Sequence, residues 1–255
     1  RPRRANTFLA RRHWWVRPRM DTKMSSRCFS TAARESRRRT TMAGRHCFGR
    51  RAMDRRGRAG GAASRGKEKV VKVLDNDGRT ALIEASYKGH DKVVEVLLDG
   101  GAQTEAAGND GWTGLMWAAQ QGHENVVLVL LGRGARIEAA ANNGWTALIF
   151  ATARGDEKVV PLLLDRGALI EAATTDGRTA LLFAALHGHE EVVRVLLGRG
   201  AQIEAADLDG LTALMYAALN GHEKVVQMLL GRGARIEAAG YDGSTALMVA
   251  ADYGR

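Results

Sequence analysis

The sequence predicts an all-α fold: an α-solenoid of stacked helix–turn–helix units with β-hairpin fingers, preceded by a disordered basic segment. Three observations carry this expectation. First, Asp/Asn–Gly–x–Thr recurs every 33 residues, with its glycines at Gly78, Gly111, Gly144, Gly177, Gly210 and Gly243. A fixed period of this size marks an array of stacked units. Second, each period holds a V-V-x-x-L-L run, which in the first unit sets Val93, Val94, Leu97 and Leu98 on one apolar helical face. Third, the charge divides the chain. Residues 1–65 hold 20 Lys and Arg against 3 Asp and Glu, a formal +17, whereas residues 66–255 hold 18 against 25, a formal −7.

Residues 1–65 are Arg-rich, poor in apolar residues and without periodicity, which predicts disorder. Three readings fit them. Runs such as Arg37-Arg38-Arg39 and Arg50-Arg51 suit nucleic acid or a nuclear signal. From Met24 the Ser, Thr, Ala and Arg content suits an organelle transit peptide. The third reading is a translated stretch with no selected role. Cys28 and Cys47 have no second Cys pair and no zinc-ligand spacing. No apolar stretch approaches the ~18 residues of a membrane span.

Gly66 to Leu74 resembles the second helix of a unit. From Gly66 to Gly78 is only 12 residues, where Gly89 to Gly111 is 22. Residues 66–76 therefore read as a truncated half-repeat serving as an N-terminal cap. Residues 77–255 form the array, with its last unit incomplete at Arg255. That end suggests a truncated product, with Leu247, Val249 and Ala250 partly uncovered.

Within a unit the first helix opens at a Thr, in turn Thr80, Thr113, Thr146, Thr179, Thr212 and Thr245, whose hydroxyl can cap free N–H groups. It closes at a glycine such as Gly89 or Gly155, suited to a left-handed C-cap. An acidic residue (Asp91, Glu124, Asp156, Glu190 or Glu223) opens the second helix at the positive end of its dipole. Pro161 falls inside V-V-P-L-L and is expected to kink or loosen the third unit. The following A-x-I-E-A-A segment has strand and turn residues, hence a protruding hairpin finger.

These units resemble the ankyrin repeat, whose pattern is roughly D-x-x-G-x-T-P-L-H-x-A-A-x-x-G-H-x-x-V-V-x-x-L-L-x-x-G-A-x-x-N-A. The match covers residues 77–255 and part of the stretch from Gly66. Two departures stand out. The family's T-P-L-H is T-A-L-I, T-G-L-M, T-A-L-L or T-A-L-M here, losing a preorganised proline and a His that bonds neighbouring repeats. The family's Asn near the finger is Glu105, Glu138, Glu171, Glu204 and Glu237, so hydroxylation of that Asn is not expected.

The resemblance implies a non-enzymatic module binding a protein partner on its concave and fingertip surface, as an intracellular monomer, cytoplasmic or nuclear, without cofactor or metal. The alternative is a scaffold tethered to nucleic acid or another anionic surface through residues 1–65. No Gly-x-Ser-x-Gly, phosphate-binding loop or His-Glu-x-x-His occurs. His90, His123, His189 and His222 recur at repeat spacing, but helices pack about 8–10 Å apart while zinc ligands sit ~2 Å from the metal; they read as framework. Trp117, Phe150, Phe183 and Tyr216 read as packing between units. The Glu column and Arg133, Arg166, Arg199 and Arg232 read as solvated edges.

Binding residues are sought where the units disagree. After the turn glycine stand Arg79, Trp112, Trp145, Arg178, Leu211 and Ser244. Near the end of the first helix stand Tyr87, Gln120 and Gln121, Arg154, His187 and Asn220. Tyr241 occupies a fingertip. Trp112 and Trp145, in equivalent places, are expected side by side and exposed, centring a partner contact flanked by Arg79, Arg178, Tyr87 and Gln120.

Overall fold

The computed structural model describes residues 75–252. The basic segment 1–65 and most of the half-repeat 66–76 lie outside the described residues. Eleven helices and no strand occur among them. In pairs they are α1 (Ala81–Tyr87) and α2 (Asp91–Asp99), α3 (Gly114–Gln121) and α4 (Glu124–Gly132), α5 (Ala147–Arg154) and α6 (Val159–Asp165), α7 (Ala180–His187) and α8 (Glu190–Gly198), and α9 (Ala213–Asn220) and α10 (Glu223–Gly231), with α11 (Ala246–Asp252) opening a sixth unit. The first helices stack on one another in sequence, and one continuous apolar core runs from Leu82 to Ala246.

The first helices are buried nearly all round. In α5, Ala147 through Thr152 are all buried, because a neighbouring first helix lies on each side. This explains their unbroken apolar sequence, in contrast to the one-sided second helices. Five of the six threonines cap as expected, with Oγ accepting from the N–H three residues on, as in Thr146 to Ile149 at 3.4 Å. Thr179 does not; its hydroxyl is buried without a partner. Gly155 shows why glycine closes these helices. Its φ is +77°, and a Cβ there would come within 2.5 Å of the His189 ring.

That histidine contact belongs to a repeating bridge. His123, His189 and His222 each hold Nε2 at 3.0–3.1 Å from a carbonyl oxygen in the preceding unit, that of Tyr87, Ala153 and Leu186. In the third unit Asp156 stands at this place and does different work. Its Oδ1 accepts from the N–H groups of Lys158 and Val159. Helix α6 starts at Val159, and Pro161 falls in its first turn, where a missing N–H costs no intrahelical bond. The expected kink is thus replaced by a late start, and Val159, Val160 and Leu163 remain fully buried.

The fingers are not β-hairpins in the regular sense. Each turn closes at most one isolated antiparallel bridge, as in Ala107 with Thr113 and Ala206 with Thr212. Their order comes instead from the neighbouring finger. The N–H groups of Asn109, Asn142, Thr175, Leu208 and Tyr241 donate to the carbonyls of Asp77, Asp110, Asn143, Asp176 and Asp209 at 3.0–3.1 Å.

The Glu column is also framework, where solvated edges were expected. Glu105, Glu138, Glu171 and Glu204 are half-buried and accept, at 2.8–2.9 Å, the N–H of Arg136, Leu169, Gln202 and Arg235 in the next unit. The next unit's backbone thereby gains an acceptor whatever side chain it carries. The Arg column reads as expected: Arg133, Arg166, Arg199 and Arg232 are all exposed, and Arg133 and Arg199 pair with Asp99 and Asp165 at 2.7 and 2.8 Å at the solvent edge. Replacing Glu171 by Ala should lower stability by about 1 kcal/mol, read as a shift in urea midpoint. Glu171→Gln, which keeps an acceptor, should recover most of the loss; equal losses in both would show that charge, and not the backbone bond, matters.

At the ends the apolar pattern is incomplete. Val93 is exposed although it belongs to the predicted apolar face. In α11, Leu247 is exposed as expected, but Val249 is buried.

Candidate functional site

After four of the turn glycines, Arg79, Trp112, Trp145 and Arg178 reach forward onto the first helix of the next unit. There the buried column Trp117, Phe150, Phe183 and Tyr216 receives them. Arg79 places its guanidinium 4.8 Å from the Trp117 ring, and Arg178 sits 5.3 Å from that of Tyr216. Trp112 lies 4.3 Å from Trp117 and 4.0 Å from Phe150. Trp145 lies 4.8 Å from Phe150 and 4.6 Å from Phe183. Tyr87 meets Trp117 edge-on at 5.2 Å.

One continuous row of rings results, in the order Tyr87, Trp117, Trp112, Phe150, Trp145, Phe183. Trp112 and Trp145 are accordingly half-buried and separated by Phe150, not exposed side by side. Offset and tilted ring contacts at these spacings are attractive beyond the area they bury. The structure thus brings Arg79, Tyr87, Trp112 and Trp145 together.

Arg178 belongs to a second, polar cluster. Asp207 is buried and accepts from the Tyr216 hydroxyl at 2.5 Å, from Arg178 Nε at 3.5 Å, and from the N–H groups of Asp209 and Leu211 at 3.0 and 2.9 Å. Burial and the bond to Asp207 push the Tyr216 phenol well above its usual range, against the opposing pull of Arg178. Burial pulls Arg178 down, but Tyr216, Asp176 and Asp207 together outweigh it and raise it. Asp207 was not among the predicted residues. Its signal was available: the same place carries Gly108, Ala141, Thr174 and Gly240 in the other complete units, all uncharged, and an Asp again only at Asp75 in the first turn.

The remaining candidates are dispersed along the first-helix ends. Arg154 and His187 are exposed, and Gln120, Gln121 and Asn220 are half-buried. Gln121 donates to Gln120 at 3.1 Å, and Asn220 donates to its own helix at the Tyr216 carbonyl. Desolvation, then the neighbouring His189 and His222, lower the His187 pKa. Leu211 packs against the core. Tyr241 is 82 % exposed, and Leu208, one finger before it, is 66 % exposed.

The fingertips combine a fixed backbone with free side chains. The five residues whose N–H groups stitch finger to finger are all exposed, and they read Asn109, Asn142, Thr175, Leu208, Tyr241 along the row. Polarity falls from the first to the last. Among the described residues, no group of His, Cys, Asp and Glu is placed to hold a metal ion, and no helix is long and apolar enough to cross a membrane.

A family model described as ankyrin repeats matches the chain in three copies, over residues 61–141, 134–207 and 204–255. No curated protein matches it.

Proposed function

The chain belongs to the ankyrin repeat family, and from that premise we propose that it is a non-enzymatic module holding a protein partner across its fingertips and first-helix ends. Ankyrin repeats are in general protein-interaction modules. The observation that carries the reading is the fingertip row. Its main chain is tied unit to unit, while its exposed side chains change along the row from Asn through Thr and Leu to Tyr. A surface held rigid by its backbone loses little conformational freedom on binding, which favours affinity. Exposed Leu208 and Tyr241 form its apolar end, and large exposed apolar side chains that adjoin one another mark contact sites. Trp112 and Trp145 contribute their exposed edges near the row, and Arg154 and His187 extend the surface at the first-helix ends. The array contains no cysteine, so it needs no disulfide and suits a reducing intracellular compartment.

Affinity capture with the full chain, read by mass spectrometry, tests this. Leu208→Ser with Tyr241→Ser should reduce the retained partner about tenfold or more, as loss of an anchor residue does. Lys158→Ala, on the second-helix side, should retain it fully. Equal retention by both variants overturns the reading. Capture that collapses between about 50 and 200 mM salt, and on deletion of residues 1–65, would place binding in the Arg-rich segment instead.

A further inference from the structure

The strip of α2 that faces away from the rest of the array is apolar and open. Val93 is 49 % exposed and Val96 70 %. At the place of Val93 the later units carry Val126, Val159, Val192 and Val225, each at 0 or 1 %. At the place of Val96 they carry Val129, Leu162, Val195 and Met228, all packed on the core. The second valine of each helix behaves oppositely. Val94, Val127, Val160 and Val193 are at 0 %, and Val226 opens only in α10, beyond which no second helix is described. The first valine therefore faces the preceding unit and the second faces the following one.

We propose that residues 66–74 of this chain dock on the open face of Val93 and Val96, with Val71 as the contact. The segment Gly66-Lys67-Glu68-Lys69-Val70-Val71-Lys72-Val73-Leu74 is identical at six of nine places to Gly221-His222-Glu223-Lys224-Val225-Val226-Gln227-Met228-Leu229, which begins α10. The family match itself begins at residue 61. Val71 stands where Val226 stands, on the side that faces a following unit.

One constraint shapes the docking. Asp75 already occupies the finger turn, its N–H donating to the Arg79 carbonyl at 3.1 Å as Gly108 donates to Trp112 at 3.0 Å. The connection that complete units have between helix and turn is therefore missing.

Hydrogen exchange on the full-length chain tests it. An Asp at a position 70 % open to water should leave α2 almost undisturbed, whereas an Asp beneath a docked segment should not. Val96→Asp alone and Val71→Asp alone should each speed exchange of the α2 amides about tenfold or more. Combined, they should go little beyond the larger of the two, because both disrupt one contact. Amides of α7 and α8 should be unchanged in every variant. If they open as well, Val96→Ser and Val71→Ser replace the aspartates in the same cycle. The proposal is overturned if the substitution at 71 leaves α2 exchange unaltered, or if the two effects multiply independently.

Discussion

Alanine at both Trp112 and Trp145 is expected to lower the thermal midpoint by roughly 10 °C. Both indoles bridge two rings of the buried column, Trp112 between Trp117 and Phe150 and Trp145 between Phe150 and Phe183. A fully buried Trp→Ala change costs about 3–5 kcal/mol. These side chains are half-buried, so about 2 kcal/mol each is the appropriate scale, including the lost ring contacts. The two losses couple because Phe150 touches both rings, so the double variant should cost less than the sum of the singles. The loss should also be local. In a stacked array each unit leans only on its neighbours, so amides of α3 and α5 should open before those of α9. A circular-dichroism melt within about 2 °C of the unaltered protein would mean that the ring row contributes little. Trp112→Phe with Trp145→Phe keeps a ring at each place and is the variant to use for testing partner contact, since alanine would confound binding with folding.

The helices were legible because each carries its own record in the 33-residue period: a capping Thr, an apolar face, a closing glycine. What the period could not reveal is what happens between units. Trp112 looked exposed because the residue after a turn glycine has no apolar neighbour in sequence; its partners Trp117 and Phe150 lie 5 and 38 positions on, the second in the next unit. The Glu column looked solvated for the same reason, since its acceptors serve backbone N–H groups 31 positions away, which no side-chain pattern marks. Pro161 misled in the opposite direction. Its position within V-V-P-L-L implied a broken helix, but Asp156, standing where other units have His, caps a helix that simply begins later. For the candidate site, variation among units located the right surface, but not which varying side chains are consumed by packing and which stay free. Arg79, Trp112, Trp145, Arg178 and Leu211 share one place; the first four lean on the next unit and Leu211 packs on the core, whereas Leu208 and Tyr241 share another and stay exposed.

Asp207 sets the second large expectation. Its carboxylate is buried and serves four donors, so Asp207→Ala would leave the Tyr216 hydroxyl without its partner and two turn N–H groups unbonded, while Arg178 keeps Asp176 at 3.2 Å. Three donors left unpaired, at about 1–3 kcal/mol each for those that are buried, correspond to roughly 10 °C in midpoint for an array of this size. Asp207→Asn keeps an acceptor for the turn N–H groups and should lose about half as much. If the two substitutions cost the same, the charge and not the turn is what Asp207 supplies. Alkaline pH gives an independent check through Tyr216. Its folded-state pKa is raised, by burial first and then by the bond to Asp207, so the folded protein holds the phenolic proton more tightly than the unfolded chain does. The stability this contributes is fully present below the unfolded phenol pKa of about 10 and is lost as pH rises beyond it toward the folded value. Urea midpoints taken on either side of about pH 10 should therefore fall more steeply for the unaltered protein than for Tyr216→Phe, which has no proton to lose at that site. Parallel curves would show that the Tyr216–Asp207 bond does not couple folding to pH.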